Sequence, residues 1–295
     1  MFDQTCAYQG MSVMAKNSES HPLSIIDFSI DDHCVGSRWA VDDEDRLAHL
    51  IAIVLMGQAM RAAQIIDDLL PATPAFTHEA LQNEAIIKLT VQEEKQMPRT
   101  GYPRHQRDGL IFEIISWVAA KQVSGDRCFL KDPHISATSQ GLDGVMIELN
   151  DEGNEIIKST IFEDKCTEHP RDTFRDSVMP GFIDRHENTR NAELINAAGA
   201  LIRMSGATPD EVMSMAIKVI ENDCRHYRAA FALTNDFDND KSQKKLFKGY
   251  SKLSGIKSDQ RIGAGLIVGG KLRGWFDVMS EKIIAYIRQL GEGMA

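Results

Sequence analysis

Cysteine is scarce in this chain and badly placed for cross-linking. Its 295 residues include five: Cys6, Cys34, Cys128, Cys166 and Cys224. The number is odd, the spacings are wide, and no Cys-x-x-Cys pair exists. That excludes a disulfide framework and a zinc ribbon, and it points to a reducing, cytoplasmic setting. Positive charge is also short. Lys and Arg number 33 against 43 Asp and Glu, a net charge of −10. Coating nucleic acid by bulk charge is excluded, although local basic patches are not. Long apolar runs are missing too. The most apolar stretch, Leu47 to Met60, is interrupted by His49 and Gln58 and is too short for a bilayer, so no membrane partner is expected. The first residues lack the basic start and apolar run of a signal peptide. There is no Walker loop, no Gly-x-Ser-x-Gly elbow, no His-Glu-x-x-His helix and no internal repeat. Gly263-Ala264-Gly265 has no third glycine in register, so close strand packing explains it better than a dinucleotide.

What remains is an ordinary globular composition, 43% hydrophobic and 26% charged. The length suits one large domain or two small ones. Residues 1–40 begin polar, and Leu23 to Ile30 then alternates as a short strand does. Asp42 to Asp45 put acids at the positive end of a helix expected to run to Leu70 and stop at Pro71. Thr77 is expected to cap a second helix. Residues 93–106 carry Pro98, Pro103, Arg99, Arg104 and His105, the mark of a surface loop. Next come a helix over 109–123, short strands at 128–130 and through Leu149, a turn at 150–154 and a strand over 155–167. Helices follow at 171–179, 184–204 and 209–223, the last opened by Thr208-Pro209-Asp210-Glu211. Strands at 227–233 and 261–268 and a helix over 275–290 complete an α/β or α+β sandwich.

Chemistry concentrates in Ile161-Phe162-Glu163-Asp164-Lys165-Cys166-Thr167. Glu163 and Lys165 are two apart and share one face of a strand. An exposed ion pair on an edge strand is one account of them. Asp143 supplies another. It lies twenty residues upstream, where one hairpin brings the chain back beside Glu163. Two carboxylates so close repel unless a cation bridges them. Hard oxygen ligands suit Mg²⁺ or Mn²⁺. The lysine then either helps deprotonate a water or stabilises charge developing on a phosphate. Metal-assisted phosphodiester hydrolysis needs such a set. Cys166 points to the opposite face from Lys165 and reads as a core thiol.

An acid at the start of one strand followed by Glu-x-Lys on the next resembles the PD-(D/E)xK, or restriction-endonuclease-like, nuclease superfamily. The match covers about residues 104–190, with Asp143, Glu163 and Lys165 as the motif and Leu142 in place of the proline. Many members add a glutamate on the preceding helix, and Glu113 fits that place. The resemblance implies a mixed sheet flanked by helices, catalysis by Asp143, Glu163, Lys165 and Glu113, and a metal held by Asp143, Glu163 and Glu113. In that superfamily the helix after Glu-x-Lys lies beside the scissile phosphate, which makes Arg171 and Arg175 candidate contacts. A narrower resemblance joins Gly141-Leu142-Asp143-Gly144, the hairpin, and Phe162 to Cys166 to the nuclease subunit (HamA-like) of Hachiman anti-phage defence. It implies DNA cleavage held in check by a helicase partner. On this division residues 1–95 form a mostly helical region suited to docking that partner, and residues 96–295 form the nuclease core with a basic extension. A scaffold subunit that docks a helicase without cutting, and a nuclease aimed at RNA, are the alternatives.

From Lys241 to Arg273 there are nine Lys or Arg and one acid, Asp259. Lys244, Lys245 and Lys248 are interleaved with Phe247 and Tyr250, which suits phosphate contact and base stacking. A patch for an acidic partner protein is the other reading.

Overall fold

The computed structural model describes residues 20–94, 97–136, 141–189 and 191–292; Cys6 and Arg190 lie outside them. Its first elements are the strands β1 (Leu23–Asp31) and β2 (Cys34–Val41), paired as an antiparallel hairpin. Asp31 closes the turn. Its Oδ1 accepts from the backbone N–H groups of His33 at 2.8 Å and Cys34 at 3.1 Å, a local bond that Asp makes readily in turns. The sequence pattern predicts only the first of these strands, because Gly36, Ser37 and Arg38 break the apolar alternation of the second.

Asp43 caps α1 (Glu44–Leu55) by accepting from the Arg46 N–H at 2.9 Å. The single helix expected to reach Leu70 is two. Gly57 adopts φ +80°, a left-handed turn that glycine makes without steric cost, and α2 (Ala59–Asp67) starts after it. His78, rather than Thr77, caps α3 (Glu79–Leu89), its Nδ1 accepting from Ala80. Next comes α4 (Arg104–Gln122), which begins right after Pro103 and takes in Arg104 and His105, expected in the loop, while Arg99 stays outside the helix.

The strands β3 (Cys128–Leu130), β4 (Gly144–Leu149) and β5 (Ile156–Lys165) fall where the sequence places them. A helical run then joins α5 (Pro170–Thr173), a π turn at Phe174–Val178 and α6 (Met179–His186). Pro180 has no N–H to give to the turn before it, so the ladder widens there. α7 (Asn191–Arg203) and α8 (Pro209–Ala216) follow, then β6 (Arg225–Thr234), α9 (Asp240–Leu246), β7 (Arg261–Val268) and α10 (Leu272–Glu292).

All seven strands form one mixed sheet in the order β1-β2-β7-β6-β5-β4-β3. The strands β2, β7, β6 and β5 are parallel to their neighbours, whereas β1 and the β4–β3 pair run antiparallel. Helices cover both faces, giving an α/β fold. On one face α1, α2, α4 and α10 bury Phe162, Ala230, Ala232 and Leu266. On the other, the segments from α5 to α9 bury Ile161, Tyr227, Phe231 and Phe247. Gly263 shows the close strand packing expected of its Gly-x-Gly: a Cβ there would come within 2.6 Å of the Phe247 ring. The N-terminal region contributes strands as well as helices. It does not stand apart, since β2 pairs with β7 and Leu23, Leu47 and Ile287 share one core. Among the described residues no helix is long and apolar enough to cross a membrane.

A charged cluster pins α4 to α10. Asp108 is fully buried. Its Oδ1 accepts from Arg107 Nε at 2.8 Å and Nη2 at 2.5 Å, and its Oδ2 from Arg273 Nη1 at 2.7 Å. Arg107 reaches on to Asp277 at 2.7 Å, where Arg104 also binds. Asp108→Ala would leave the buried Arg107 with only the partly exposed Asp277 and would strip Arg273 of its carboxylate, so a stability loss of about 3 kcal/mol is expected from urea denaturation. Lys282→Ala, in the exposed pairs with Glu44 and Asp45, is expected to change stability by about 1 kcal/mol or less.

Candidate functional site

The hairpin β4–β5 sets the geometry. Its register puts Gly144 opposite Phe162, which leaves Asp143 beside the end of β5. Asp143 Oδ2 accepts from the Asp164 backbone N–H at 2.8 Å and from Lys165 Nζ at 2.7 Å. The same ammonium lies 2.9 Å from Glu163 Oε2. The two carboxylates are therefore bridged by a cation, and that cation is Lys165. Burial works against the Lys165 charge, but Asp143 and then Glu163 outweigh it and hold the proton more tightly than usual. A lysine so held is suited to stabilising negative charge, not to taking a proton from water.

Glu163 is gripped from a second side. Its Oε1 lies 3.0 Å from Nη1 of the buried Arg185 on α6. On the opposite face of β5, Asp164 is fully enclosed, and burial pushes its carboxyl up to about 7 despite Arg228 at 3.5 Å. Burial likewise pushes the Cys166 thiol up to about 12, in keeping with a core thiol.

Glu113 projects from α4 and is half-buried. Its Oε1 accepts from the backbone N–H of His134 at 2.8 Å and lies 2.9 Å from the ring Nδ1. The far ring nitrogen, Nε2, is 3.2 Å from Lys131 Nζ. A carboxylate only accepts and an ammonium only donates, so the proton of a neutral His134 belongs on Nδ1. Lys131 also donates to the Leu142 carbonyl at 2.6 Å, which ties this loop to the residue before Asp143.

Ligand atoms of Glu113, His134 and Asp143 all lie within 4.8 Å of one another. Two carboxylates and an imidazole fit a divalent cation. The nitrogen donor favours Mn²⁺ over Mg²⁺, which prefers oxygen throughout. Glu113 and Asp143 thus come together as the sequence predicts. Glu163 adjoins them through Lys165, but it is held by Lys165 and Arg185 rather than grouped with them. Sequence reasoning missed His134, because a histidine in Asp132-Pro133-His134 carries no spacing signal. It also missed Lys131 and the role of Arg185.

The proposed nucleic-acid contacts divide. Arg171 donates to the carbonyls of Leu246 at 2.9 Å and Lys248 at 2.6 Å, clasping α5 to the end of α9. Arg175 is exposed but paired with Asp172 at 3.0 Å and Asp176 at 2.6 Å. Lys244, Lys245 and Lys248 are exposed, and no described carboxylate pairs with them. Phe247 and Tyr250 are each 1% exposed, so the expected base stacking is not open to them. They serve the core beneath α9.

No family model, curated protein or solved structure matches the chain. Two outcomes test the centre by calorimetric titration with Mn²⁺. Asp143→Asn replaces an anionic oxygen by an amide and is expected to weaken binding by roughly ten-fold or more. Lys165→Met removes the ammonium that competes for Asp143 and is expected to tighten it.

Proposed function

We propose that this chain is a metal-dependent nuclease of the PD-(D/E)xK kind that hydrolyses DNA phosphodiester bonds. The supporting observation is the meeting of Asp143, Glu163 and Lys165 at the end of one hairpin, with Glu113 and His134 alongside. A strand that delivers an acid and a lysine to one face, next to carboxylates from two further segments, suits a phosphoryl oxygen better than it suits a packed core.

Glu113, Asp143 and His134 would hold a divalent cation, Mn²⁺ or Mg²⁺, which supplies Lewis-acid polarisation and a nucleophilic water when bound. Lys165 presents a fixed positive charge toward the phosphate oxygen on which negative charge develops. Arg185 orients Glu163, and Glu163 with Asp143 in turn fixes the Lys165 ammonium. Lys131 occupies the Nε2 lone pair of His134 and would have to yield it for that nitrogen to hold the cation, Nδ1–H staying on Glu113.

The exposed lysines after β6 suit control by a partner. With a net charge of −10, the protein meets DNA poorly at long range. A helicase that covers Lys244, Lys245 and Lys248 would hide its most DNA-attracting surface and expose it on release. This is the role proposed for the chain in anti-phage defence.

Plasmid nicking with Mn²⁺ or Mg²⁺, compared with EDTA, tests the chemistry. Lys165→Ala and Glu163→Ala are expected to lower the rate by about 10²–10³-fold with the circular dichroism spectrum unchanged; parental rates in both would refute the assignment. His134→Ala is expected to cost more of the Mn²⁺-supported rate than of the Mg²⁺-supported rate. Changing Lys244, Lys245 and Lys248 to Glu is expected to leave cleavage by the isolated chain intact and to abolish capture of the helicase in a pull-down. Loss of DNA affinity together with a flattened salt dependence, the helicase still bound, would make this surface a substrate groove instead.

A further inference from the structure

Helices α2 and α4, strand β3 and the residue after α7 line a groove of about 380 Å³. The helix α2 has two faces. Ala62, Ile65 and Ile66 enter the core, while Met60, Ala63, Gln64 and Asp67 line the groove at the spacing of one helix face. The buried Trp117 of α4 lies in the floor, and Phe129 of β3 and Met204 complete the apolar lining.

Met60 is 79% exposed and Met204 63%. Methionine is among the residues most often fully buried. Two left open on one groove offer apolar surface to a partner, and the flexible thioether adapts to whichever side chain it meets. Around this apolar lining the charge is of one sign. Asp67, Asp68, Asp126 and Asp132 are exposed. The single cation of the lining, Lys121, is already held by Asp67 at 2.8 Å. Asp68, Asp126 and Asp132 pair with no described cation. Such a rim repels nucleic acid and anionic lipid alike. It complements an apolar surface edged with Lys or Arg, and a basic amphipathic helix offers both on one side.

We propose that this groove docks a basic amphipathic helix of a partner protein. Apolar residues three and four apart on that helix enter beside Met60, Met204 and Trp117, and its flanking Lys or Arg side chains meet Asp68, Asp126 and Asp132. The surface is separate from Lys244, Lys245 and Lys248 and opposite to them in charge. The proposal stands independently of the nuclease assignment.

The test titrates the full chain with a fluorescein-labelled helical peptide of leucine and lysine whose leucines share one face, read by anisotropy and calorimetry. A peptide of the same composition, ordered so that the leucines spread around the helix, is the control for charge alone. The one-faced peptide is expected to saturate a single site and to bind at least about ten-fold more tightly than the control. Met60→Gln combined with Met204→Gln removes apolar contact at two exposed positions and is expected to lower affinity roughly ten-fold. Asp68→Lys combined with Asp126→Lys is expected to lower it at least as much and to flatten its salt dependence. Asp259→Lys combined with Glu281→Lys makes the same change of charge at exposed residues outside the groove and is expected to move affinity by about two-fold or less. Equal binding of the two peptides would overturn the proposal. So would parental affinity in the methionine pair, or equal losses from the two charge-reversed pairs.

Discussion

The strand β5 is the constraint on which the rest is arranged. Like β2, it is a point where the sheet passes from antiparallel to parallel pairing, here antiparallel to β4 and parallel to β6. The antiparallel partner returns the chain by a short turn, so Asp143 meets Glu163 and Lys165 without any long connection. The parallel partner requires a crossover, and the helices of that crossover supply Arg185 from behind. Side chains alternate along β5 with period two. Glu163 and Lys165 therefore share one face, while Phe162 and Asp164 face α4. A slip of one residue would bury both charges against apolar helix and turn the aromatic ring toward the site.

Charge balance at this centre is local, whatever the net charge of the chain. Lys165 binds Asp143 and Glu163, Arg185 binds Glu163 again, and Lys131 supports the histidine that faces Glu113. Each carboxylate has a partner, so the cluster is stable as it stands. Loading a divalent cation is consequently an exchange, in which Lys165 gives up part of its hold on Asp143. The buried cluster around Asp108 is different in kind. Its ions are satisfied by one another, and they fix the angle at which α4, and with it Glu113, approaches the sheet.

Much of this was legible in the chain because strand periodicity writes itself into sequence. Glu163 and Lys165 announced a shared face, Asp143 a hairpin partner, and Thr208-Pro209-Asp210-Glu211 a helix start. Residues whose meaning depends on a distant neighbour were not legible. His134 matters because Glu113 comes to it from another element. Phe247 and Tyr250 read as stacking platforms among lysines, yet tertiary packing claimed both. Arg171 and Arg175 have the composition of phosphate contacts, but two carbonyls and two aspartates hold them. The second strand was hidden by a glycine and two polar residues, since its place in the sheet is set by β7, which is made much later.

That last pairing has a consequence for biosynthesis. Val35 lies opposite Ile262, more than two hundred residues on, so the inner edge of the first hairpin stays unsatisfied until β7 has been made. At roughly 5–20 residues per second the wait is about 10–45 s. In that interval the nascent chain offers an open row of backbone donors and acceptors to any neighbouring chain on the same message. Arg273 and Asp277, which complete the Asp108 cluster, emerge later still. The candidate site therefore gains its full support only once α10 has left the ribosome, and a product cut short before α10 would carry Asp143, Glu163 and Lys165 without the frame that positions α4.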